Sequence, residues 1–317
     1  MKITDQYGRS FSTLRVSLLD RCNFACVYCV EEDGQPVNKR SCSQGKNGAA
    51  PVKELILALH KKLNFGTVRL TGGEPLLFEG IEQLVYELKC AGVPAVKMTT
   101  NGFLLPQLAG RLAVAGLDEL NVSLDALDEE VFRKMSGRDQ CSRVLEGIDA
   151  ALDAGIPLKL NAVIMKGIND SEILPLMEYA RETGIVLRFL ELMKMGHLFR
   201  EGADRFFSSY EILERISTTG PLMALPRKES ATATYWKTAE GQEFGIIANE
   251  SAPFCSDCNR LRLSSDGKIF GCLSSNEGFS IVGLNENELE TELIKALGQK
   301  QALRFTGSAL SMLSIGG

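Results

Sequence analysis

Residues 13–29 read TLRVSLLDRCNFACVYC, an apolar run with β-branched residues that leads directly into three closely spaced cysteines. Such a run predicts a buried strand, which places the cysteines in the loop after it. Similar runs recur and alternate with amphipathic stretches of helical spacing, several of which are followed by a glycine suited to a helix C-cap. The predicted strands are 13–19, 67–70, 95–99, 119–124, 158–165 and 186–192, and the predicted helices are 52–63, 81–91, 106–115, 129–136, 142–154 and 171–183.

The alternation gives six strand–helix units, which predicts a parallel sheet. A closed barrel of this type needs eight units, so we expect an α/β fold built on a partial (β/α)6 TIM-like barrel over residues 1–200. Beyond it, residues 201–317 are expected to form a C-terminal α+β extension, which contains three further cysteines between residues 255 and 272. The short strand-like pieces of this extension are 232–237, 244–248, 261–263 and 268–270, and its predicted helix is 286–297.

The charge and hydropathy of the chain exclude several classes of function. The 317 residues carry 35 Lys and Arg against 40 Asp and Glu, a net charge of −5. Nucleic-acid binders usually have a basic excess, so we expect no nucleic-acid partner. The first residues lack the pattern of a signal peptide, and no run of about 18 uncharged apolar residues occurs that would span a membrane. We therefore expect a cytoplasmic protein with no membrane partner.

Six of the nine cysteines fall into two groups of three, which in such a protein indicates metal or redox chemistry rather than disulfides. The first group, Cys22, Cys26 and Cys29, suits a 4Fe–4S cluster because thiolates are its usual ligands. Three thiolates leave one iron without a protein ligand, and the amino and carboxylate groups of methionine suit that iron. The alternative is a zinc loop completed by a distant cysteine such as Cys42, although zinc loops normally pair their ligands as C-x2-C.

The second group, Cys255, Cys258 and Cys272, again offers three thiolates and predicts a second 4Fe–4S cluster with an open iron. A structural zinc ion with one further ligand is the alternative. Two of the scattered cysteines, Cys90 and Cys141, lie in or beside predicted helices, so we expect them to be small buried hydrophobic residues.

Two arginines follow the second group, and Arg260 and Arg262 point to the same face if this segment is extended. Arginine pairs bind phosphate oxygens in bidentate fashion. Basic residues on the predicted barrel strands would join this pair in a cavity able to neutralise a triphosphate; they are Arg15, Arg69, Lys159 and Arg188. For any one of these residues, the common alternative is a surface position or a salt bridge.

A glycine-rich turn, Thr71-Gly72-Gly73-Glu74-Pro75, follows the second predicted strand, and its glycines permit close backbone approach to a ligand. Other candidate residues lie on the predicted strands or at their carboxyl ends, the edge at which parallel βα folds bind ligands. They are Thr99, Thr100, Asn101, Ser123, Asp125, Lys159, Asn161, Arg188, Glu191 and Met193. Buried polar residues that only satisfy one another are the alternative for each of them.

The pattern C-x3-C-x2-C, here CNFACVYC, and the turn TGGEP resemble the radical SAM superfamily. Within that superfamily, residues 254–272, FCSDCNRLRLSSDGKIFGC, are similar to the second cluster motif of the GTP 3′,8-cyclases. The segments VRLTGGEPL, MTTNG and NVSLDALD and the final Gly-Gly agree, so the resemblance covers nearly the whole chain. It implies two 4Fe–4S clusters, S-adenosylmethionine (SAM) and conversion of GTP to (8S)-3′,8-cyclo-7,8-dihydroguanosine 5′-triphosphate in molybdenum cofactor biosynthesis.

The resemblance also implies roles for individual residues. Cys22, Cys26 and Cys29 would hold the cluster that binds SAM, and Cys255, Cys258 and Cys272 would hold a cluster whose open iron binds guanine. SAM would be contacted by Tyr28, through its backbone, and by Gly73, Ser123 and Met193. GTP would be bound by Arg15, Arg69, Thr99, Lys159, Arg260, Leu261 and Arg262, with Arg188 as a weaker candidate. The terminal glycines, Gly316 and Gly317, would enter the active site as a thin catalytic tail.

The implied partners are a reducing electron donor of flavodoxin or ferredoxin type and a downstream MoaC-type cyclic pyranopterin synthase. The sequence leaves the oligomeric state open, a homodimer included. The chain departs from the family pattern at Val30-Glu31, where Met-Pro is common, and in the polar segment 32–50 with its additional Cys42. Competing interpretations are a peptide-modifying radical SAM enzyme with an auxiliary cluster, and a non-enzymatic electron carrier or zinc-stabilised scaffold.

Overall fold

The computed structural model describes residues 3–30, 52–199 and 203–315. Several expectations fall outside these ranges: the polar segment 32–50, Cys42 within it, and the terminal Gly316 and Gly317.

The described residues form twelve strands and nine α-helices. The strands are β1 Thr13–Ser17, β2 Thr67–Thr71, β3 Ala95–Thr100, β4 Glu119–Ser123, β5 Leu158–Ile164, β6 Val186–Glu191, β7 Leu222–Ala224, β8 Thr234–Thr238, β9 Glu243–Ile247, β10 Arg260–Leu263, β11 Lys268–Phe270 and β12 Phe279–Ser280. The helices are α1 Val52–Leu63, α2 Ile81–Cys90, α3 Leu105–Ala115, α4 Glu129–Ser136, α5 Cys141–Asp153, α6 Ile173–Thr183, α7 Ser209–Ser217, α8 Glu286–Gly298 and α9 Met312–Ile315. None of these helices has the length and apolar character that crossing a bilayer would require.

All twelve strands belong to one sheet, with the order β12-β11-β10-β1-β2-β3-β4-β5-β6-β9-β8-β7. Strands β1 to β6 pair in parallel in sequence order, as the six strand–helix units predicted. The later strands extend this sheet on both sides, because β10 pairs in parallel with β1 and β9 pairs in parallel with β6. The division of the chain at residue 200 stays a prediction, since strands beyond it continue the same sheet.

Along the strands, successive side chains point alternately to the face that packs against the helices and to the face that lines a cavity. On β1, for example, Leu14 and Val16 are fully buried in the core, whereas Arg15 between them reaches the cavity. This alternation follows from the two-residue period of a strand. Because side chains from β1 through β6 meet in the same cavity, the sheet curves around it as an open, partial barrel.

The structure confirms the predicted strands and helices of the barrel to within two residues at each end, and it confirms those predicted in the extension. Helix α7 was not predicted, although it starts at a capping box in which Ser208 and Glu211 each cap the other's backbone, a pattern visible in the sequence as Ser-x-x-Glu. Cys141 is buried as expected. The prediction for Cys90 is wrong: it ends α2 at the surface and is exposed.

Candidate active site

A cavity of about 640 Å³ lies inside the curved sheet, a volume typical of small-molecule sites. Its wall contains both cysteine groups and most of the predicted binding residues: Arg15, Tyr28, Arg69, Gly73, Thr99, Ser123, Lys159, Arg188, Met193, Arg260 and Arg262. Leu261 is the exception among the described candidates, because its side chain is fully buried in the core on the other face of β10. Arg260 and Arg262 both lie on the cavity face of β10, as their two-residue spacing predicted.

The first cysteine group lies in the loop after β1, and Cys22, Cys26 and Cys29 all face the cavity. Burial, reinforced by the nearby Glu74 carboxyl, raises the pKa of Cys22 to about 11. Burial and the neighbouring Cys22 raise the pKa of Cys29 to about 12. The pKa of Cys26 is also raised by burial and by both other thiols, so the three sulfur atoms lie within electrostatic reach of one another.

The TGGEP turn packs directly against the backbone of this cysteine loop. The N–H of Gly73 donates to the carbonyl of Leu19 at 2.7 Å, and the N–H of Glu74 donates to the carbonyl of Arg21 at 2.9 Å. A Cβ atom on Gly73 would lie only 2.0 Å from the Arg21 oxygen, so no other residue fits without moving the loop. The close approach seen here is between two protein segments, and approach to a ligand stays a prediction.

Two buried carboxyl groups flank the first cysteine group. Glu74 accepts hydrogen bonds from the Thr100 hydroxyl at 2.6 Å and the Asn101 N–H at 2.8 Å, and burial raises its pKa to about 7. Asp125 accepts a hydrogen bond from the Tyr28 hydroxyl at 2.8 Å, and burial raises its pKa to about 6. Burial therefore disfavours the ionised forms of both carboxyl groups beside the first cysteine group.

The second cysteine group, Cys255, Cys258 and Cys272, faces the same cavity in cationic surroundings. Burial by itself would raise the pKa of Cys258, but the charges of Arg260 and Lys300 lower it to about 6. Lys300 is 4% exposed, and its ammonium donates a hydrogen bond to Cys258 Sγ at 3.4 Å. A buried ammonium next to a thiol stabilises the thiolate form.

A row of charged side chains crosses the sheet between the two cysteine groups. The register pairs Arg262 of β10 with Arg15 of β1, Arg15 with Arg69 of β2, Arg69 with Lys97 of β3, and Lys97 with Glu119 of β4. All five residues line the cavity. Burial and then the neighbouring arginines, Arg262 first and Arg69 next, lower the pKa of Arg15 well below its usual value. Such crowding of like charges suits a polyanionic ligand.

The anion at the end of the row, Glu119, pairs with three cations. Its carboxylate accepts hydrogen bonds from Arg69 Nη2 at 2.8 Å, Lys97 Nζ at 3.1 Å and Lys159 Nζ at 2.9 Å. Burial opposes its ionisation, but Arg69 and Lys159 lower its pKa to about 2. Arg188, by contrast, donates both Nε and Nη2 to the Asn161 side-chain oxygen, at 3.0 and 2.7 Å.

Three functional candidates were missed in the sequence: Lys97, Glu119 and Lys300. Lys97 and Glu119 lie two residues before Thr99 and Asn121 on their strands, so the two-residue period placed both on the cavity face. The period by itself therefore indicates both residues, although neither lies at the carboxyl end of its strand. Lys300 follows the C-terminal end of α8, and no local pattern indicates that it is buried beside Cys258.

The donor sets of both cysteine groups suit an iron–sulfur cluster with one open iron. Each group brings three thiols to the cavity wall, and N–H groups point at individual sulfur atoms. Phe24 N donates to Cys22 Sγ at 3.3 Å and Ser274 N donates to Cys272 Sγ at 3.4 Å, contacts that tune thiolates bound to iron. Within the described ranges, no three His, Cys, Asp or Glu side chains are grouped closely enough to share one metal ion.

Two family models match the chain. Residues 16–180 match the Radical SAM superfamily, and residues 185–307 match the family described as Molybdenum Cofactor Synthesis C. Curated relatives are similar over nearly the full length. A GTP 3′,8-cyclase of Staphylococcus haemolyticus is 38% identical over 305 residues, which cover 92% of this chain and 89% of the relative. A GTP 3′,8-cyclase of Synechocystis sp. is 36% identical over 315 residues, which cover 99% of this chain and 95% of the relative.

Solved structures of SuiB from Streptococcus suis share the fold. The structure of SuiB bound to S-adenosylmethionine superposes with a TM-score of 0.63 at 14% identity and covers 87% of this chain, which spans 64% of the SuiB chain. SuiB bound to the precursor peptide SuiA gives a TM-score of 0.66 at 15% identity, covering 91% of this chain and 67% of SuiB. At such identities the similarity supports the radical SAM fold alone.

Proposed function

We propose that this cavity carries out the GTP 3′,8-cyclase reaction, because the chain belongs to the radical SAM superfamily and, within it, to the GTP 3′,8-cyclase family. It is therefore a radical SAM enzyme that uses SAM and an iron–sulfur cluster. The proposed reaction converts GTP to (8S)-3′,8-cyclo-7,8-dihydroguanosine 5′-triphosphate for molybdenum cofactor biosynthesis. The observation that carries this proposal is the row of charged side chains, whose arginines line the same cavity as the two cysteine groups.

At one end of the cavity, Cys22, Cys26 and Cys29 would hold the first cluster. When bound, this cluster would supply the electron for cleavage of SAM, and the resulting deoxyadenosyl group would be the acceptor for the 3′ hydrogen of the GTP ribose. The packing of Gly73 on the cysteine loop supports the proposal that the TGGEP turn and the first cluster bind SAM together. Tyr28, Ser123 and Met193 line the same cavity and would contact SAM.

At the other end, Cys255, Cys258 and Cys272 would hold the second cluster, with the guanine of GTP at its open iron. The cationic surroundings of Cys258 support binding of thiolates to iron there. Arg15, Arg69, Thr99, Lys159, Arg260 and Arg262 would hold the triphosphate and ribose, with Arg188 as a further cation. Leu261 would contribute only through its backbone, because its side chain is in the core. Gly316 and Gly317 remain proposed members of a catalytic tail.

The proposed partners follow from this chemistry. A low-potential donor of flavodoxin or ferredoxin type would reduce the first cluster, and a MoaC-type cyclic pyranopterin synthase would consume the product. A cytoplasmic location is proposed because the six cluster thiols must stay reduced, which a reducing compartment provides.

The direct test is anaerobic turnover of the reconstituted protein with SAM, GTP and a reductant. We expect 5′-deoxyadenosine and the cyclised triphosphate to form in equal amounts, detected by chromatography and mass spectrometry. Unchanged GTP in the presence of SAM cleavage would refute the proposed substrate. A precursor peptide altered in its place would favour the peptide-modifying alternative.

Arg260 and Arg262 offer a sharper test of the nucleotide site. Replacing either with Ala removes a charged phosphate partner, so GTP affinity should fall by a factor of about 10 to 100 in each variant. Cleavage of SAM without GTP should survive in both. Arg133→Ala, on the exposed face of α4, is the matched control. Equilibrium dialysis with labelled GTP measures the change, and wild-type affinity in both variants would place the triphosphate elsewhere.

A further inference from the structure

Lys97 and Glu119 extend the predicted triphosphate site beyond the residues that the family resemblance assigns. Both line the cavity, and the strand register places Lys97 between Arg69 and Glu119 in the row of charged side chains. We propose that Lys97 is a further phosphate-binding cation and that Glu119 is an exchangeable anion, which the phosphate chain replaces when nucleotide binds. This inference rests on the proposed function, since it takes GTP as the ligand of the cavity.

The hydrogen bonds of the two lysines leave donors available for a ligand. Lys97 and Lys159 each give one hydrogen bond to Glu119 Oε2, and within the described residues neither makes another. An ammonium has three N–H donors, so each lysine retains two that can bind phosphate oxygens. The side chains are 27% and 32% exposed, which leaves their charged ends open to the cavity. Lys97 is therefore placed as well as Lys159 to bind phosphate.

Glu119 occupies the position that a phosphate group would take among these cations. It presents two oxygens to three cations, with Arg69 on Oε1 and both lysines on Oε2. A phosphate group is tetrahedral, but it also offers pairs of oxygens to such donors, with more negative charge. With no nucleotide bound, the carboxylate offsets repulsion among the crowded cations, which burial makes stronger.

The carboxylate and a bound triphosphate would compete for the same donors. A phosphate oxygen bound by Arg69 or Lys159 comes close to the Glu119 carboxylate, and like charges repel strongly at the effective dielectric of a partly buried site. Nucleotide binding therefore requires the cations to turn from Glu119 toward the phosphates. This replacement of the Glu119 carboxylate by phosphate lowers the affinity of the protein for a nucleotide. The loss of affinity is larger for a nucleotide that carries more phosphates. Glu119 thus acts as a specificity-determining residue for phosphate-chain length.

The experiment measures dissociation constants for GTP, GDP, GMP and guanosine with the reconstituted protein and SAM. Lys97→Met should weaken GTP binding about tenfold and leave GMP within twofold, and Lys97→Arg should restore GTP binding. Glu119→Gln should tighten GTP binding by about three- to tenfold, with a smaller effect on GDP and the smallest on GMP. Glu119→Asp, which keeps the charge, should stay near wild type. Lys61→Met and Glu286→Gln remove an exposed ion pair far from the cavity and serve as matched controls.

The outcomes separate this inference from the proposed function. Wild-type GTP affinity in Lys97→Met, with folding confirmed by an unchanged iron content, would show that Lys97 does not contact phosphate. Weaker GTP binding in Glu119→Gln would show that the carboxylate is a fixed support for the cations and is not exchanged. Either result overturns the inference while leaving the substrate in place. Failure of the wild-type protein to bind any of the four compounds would overturn the proposed function itself.

Discussion

The two cysteine groups share one cavity but lie in opposite electrostatic surroundings. The first group is buried beside Glu74 and Asp125, and the pKa of each of its thiols is raised. In the second group, burial raises the pKa of Cys255 to about 11, whereas Arg260 and Lys300 lower the pKa of Cys258 to about 6. Three cysteines are therefore placed once beside buried carboxyl groups and once beside cations that stabilise one thiolate.

This difference suits the two tasks proposed for the clusters. Surroundings that disfavour negative charge lower the reduction potential of a cluster, and nearby cations raise it. The first cluster must donate an electron to SAM, which a low potential favours. The second cluster would bind a substrate base close to a triphosphate, where cations are needed. The charges around each cysteine group thus suit the role proposed for its cluster.

The largest effect is expected from removing one ligand in each group. Cys26→Ala should lower the iron content from about eight to about four per chain and abolish SAM cleavage. Cys258→Ala should lose the same amount of iron but retain SAM cleavage without converting GTP. Iron analysis and product chromatography measure both results. Cys90→Ala, at an exposed position, is the control that should change neither, and equal loss of SAM cleavage in both group variants would remove the distinction between the groups.

A second test displaces the backbone of each cysteine group without replacing any of its cysteines. A Cβ on Gly73 would meet Arg21 O at 2.0 Å, and a Cβ on Gly271 would meet Ala296 O at 1.7 Å. Each substitution by Ala should cost about 1–3 kcal/mol of stability and lower cluster content in its own group only. Gly110→Ala, with no atom near its Cβ, is the control. Mössbauer or EPR spectra distinguish the two clusters, and loss of the first-group signal in Gly271→Ala would contradict the expected separation.

Lys300 tests the contribution of a single charge. Lys300→Met removes the ammonium that donates to Cys258 Sγ, and the potential of the second cluster should fall by about 60–130 mV. Lys300→Arg keeps a cation at this position and should shift the potential of the second cluster much less. The measurement is an EPR-monitored redox titration in a chain whose first group is replaced by Ala. An unchanged potential in Lys300→Met would assign the cationic character of this site to Arg260 alone.

The smallest effect is expected for Glu119, the anion at the end of the row of charged side chains. The folded pKa of Glu119, about 2, lies below its usual value of 4.5, so its ionised form stabilises the fold above about pH 4.5. That contribution is lost as pH falls toward about 2. Glu119→Gln should therefore be less stable than wild type by about 1–2 kcal/mol at pH 6, and the gap should close in acid. Urea unfolding across this range measures it, and a gap that widens in acid would contradict the assigned pKa shift.

Much of the fold and the site was predictable because both follow short-range patterns. The two-residue period of a strand placed Arg260 and Arg262 on one face, and the spacing of the cysteines indicated two three-thiol groups. Helix α7 was missed although Ser208 and Glu211 form a recognisable capping box. The prediction that Cys90 lies in the core was wrong. A sequence pattern near a helix end does not determine which side of the last turn faces solvent.

By itself, the sequence determined the alternation of strands and helices, the two cysteine groups and the family. Only the tertiary structure placed β10 beside β1 and β9 beside β6, which brings the second group into the barrel cavity. It also decided that Glu119 meets three cations and that Lys300 lies against Cys258. The physical reason is range: periodicity and ligand spacing act over a few residues, whereas charges from distant segments interact only after the sheet has brought them together.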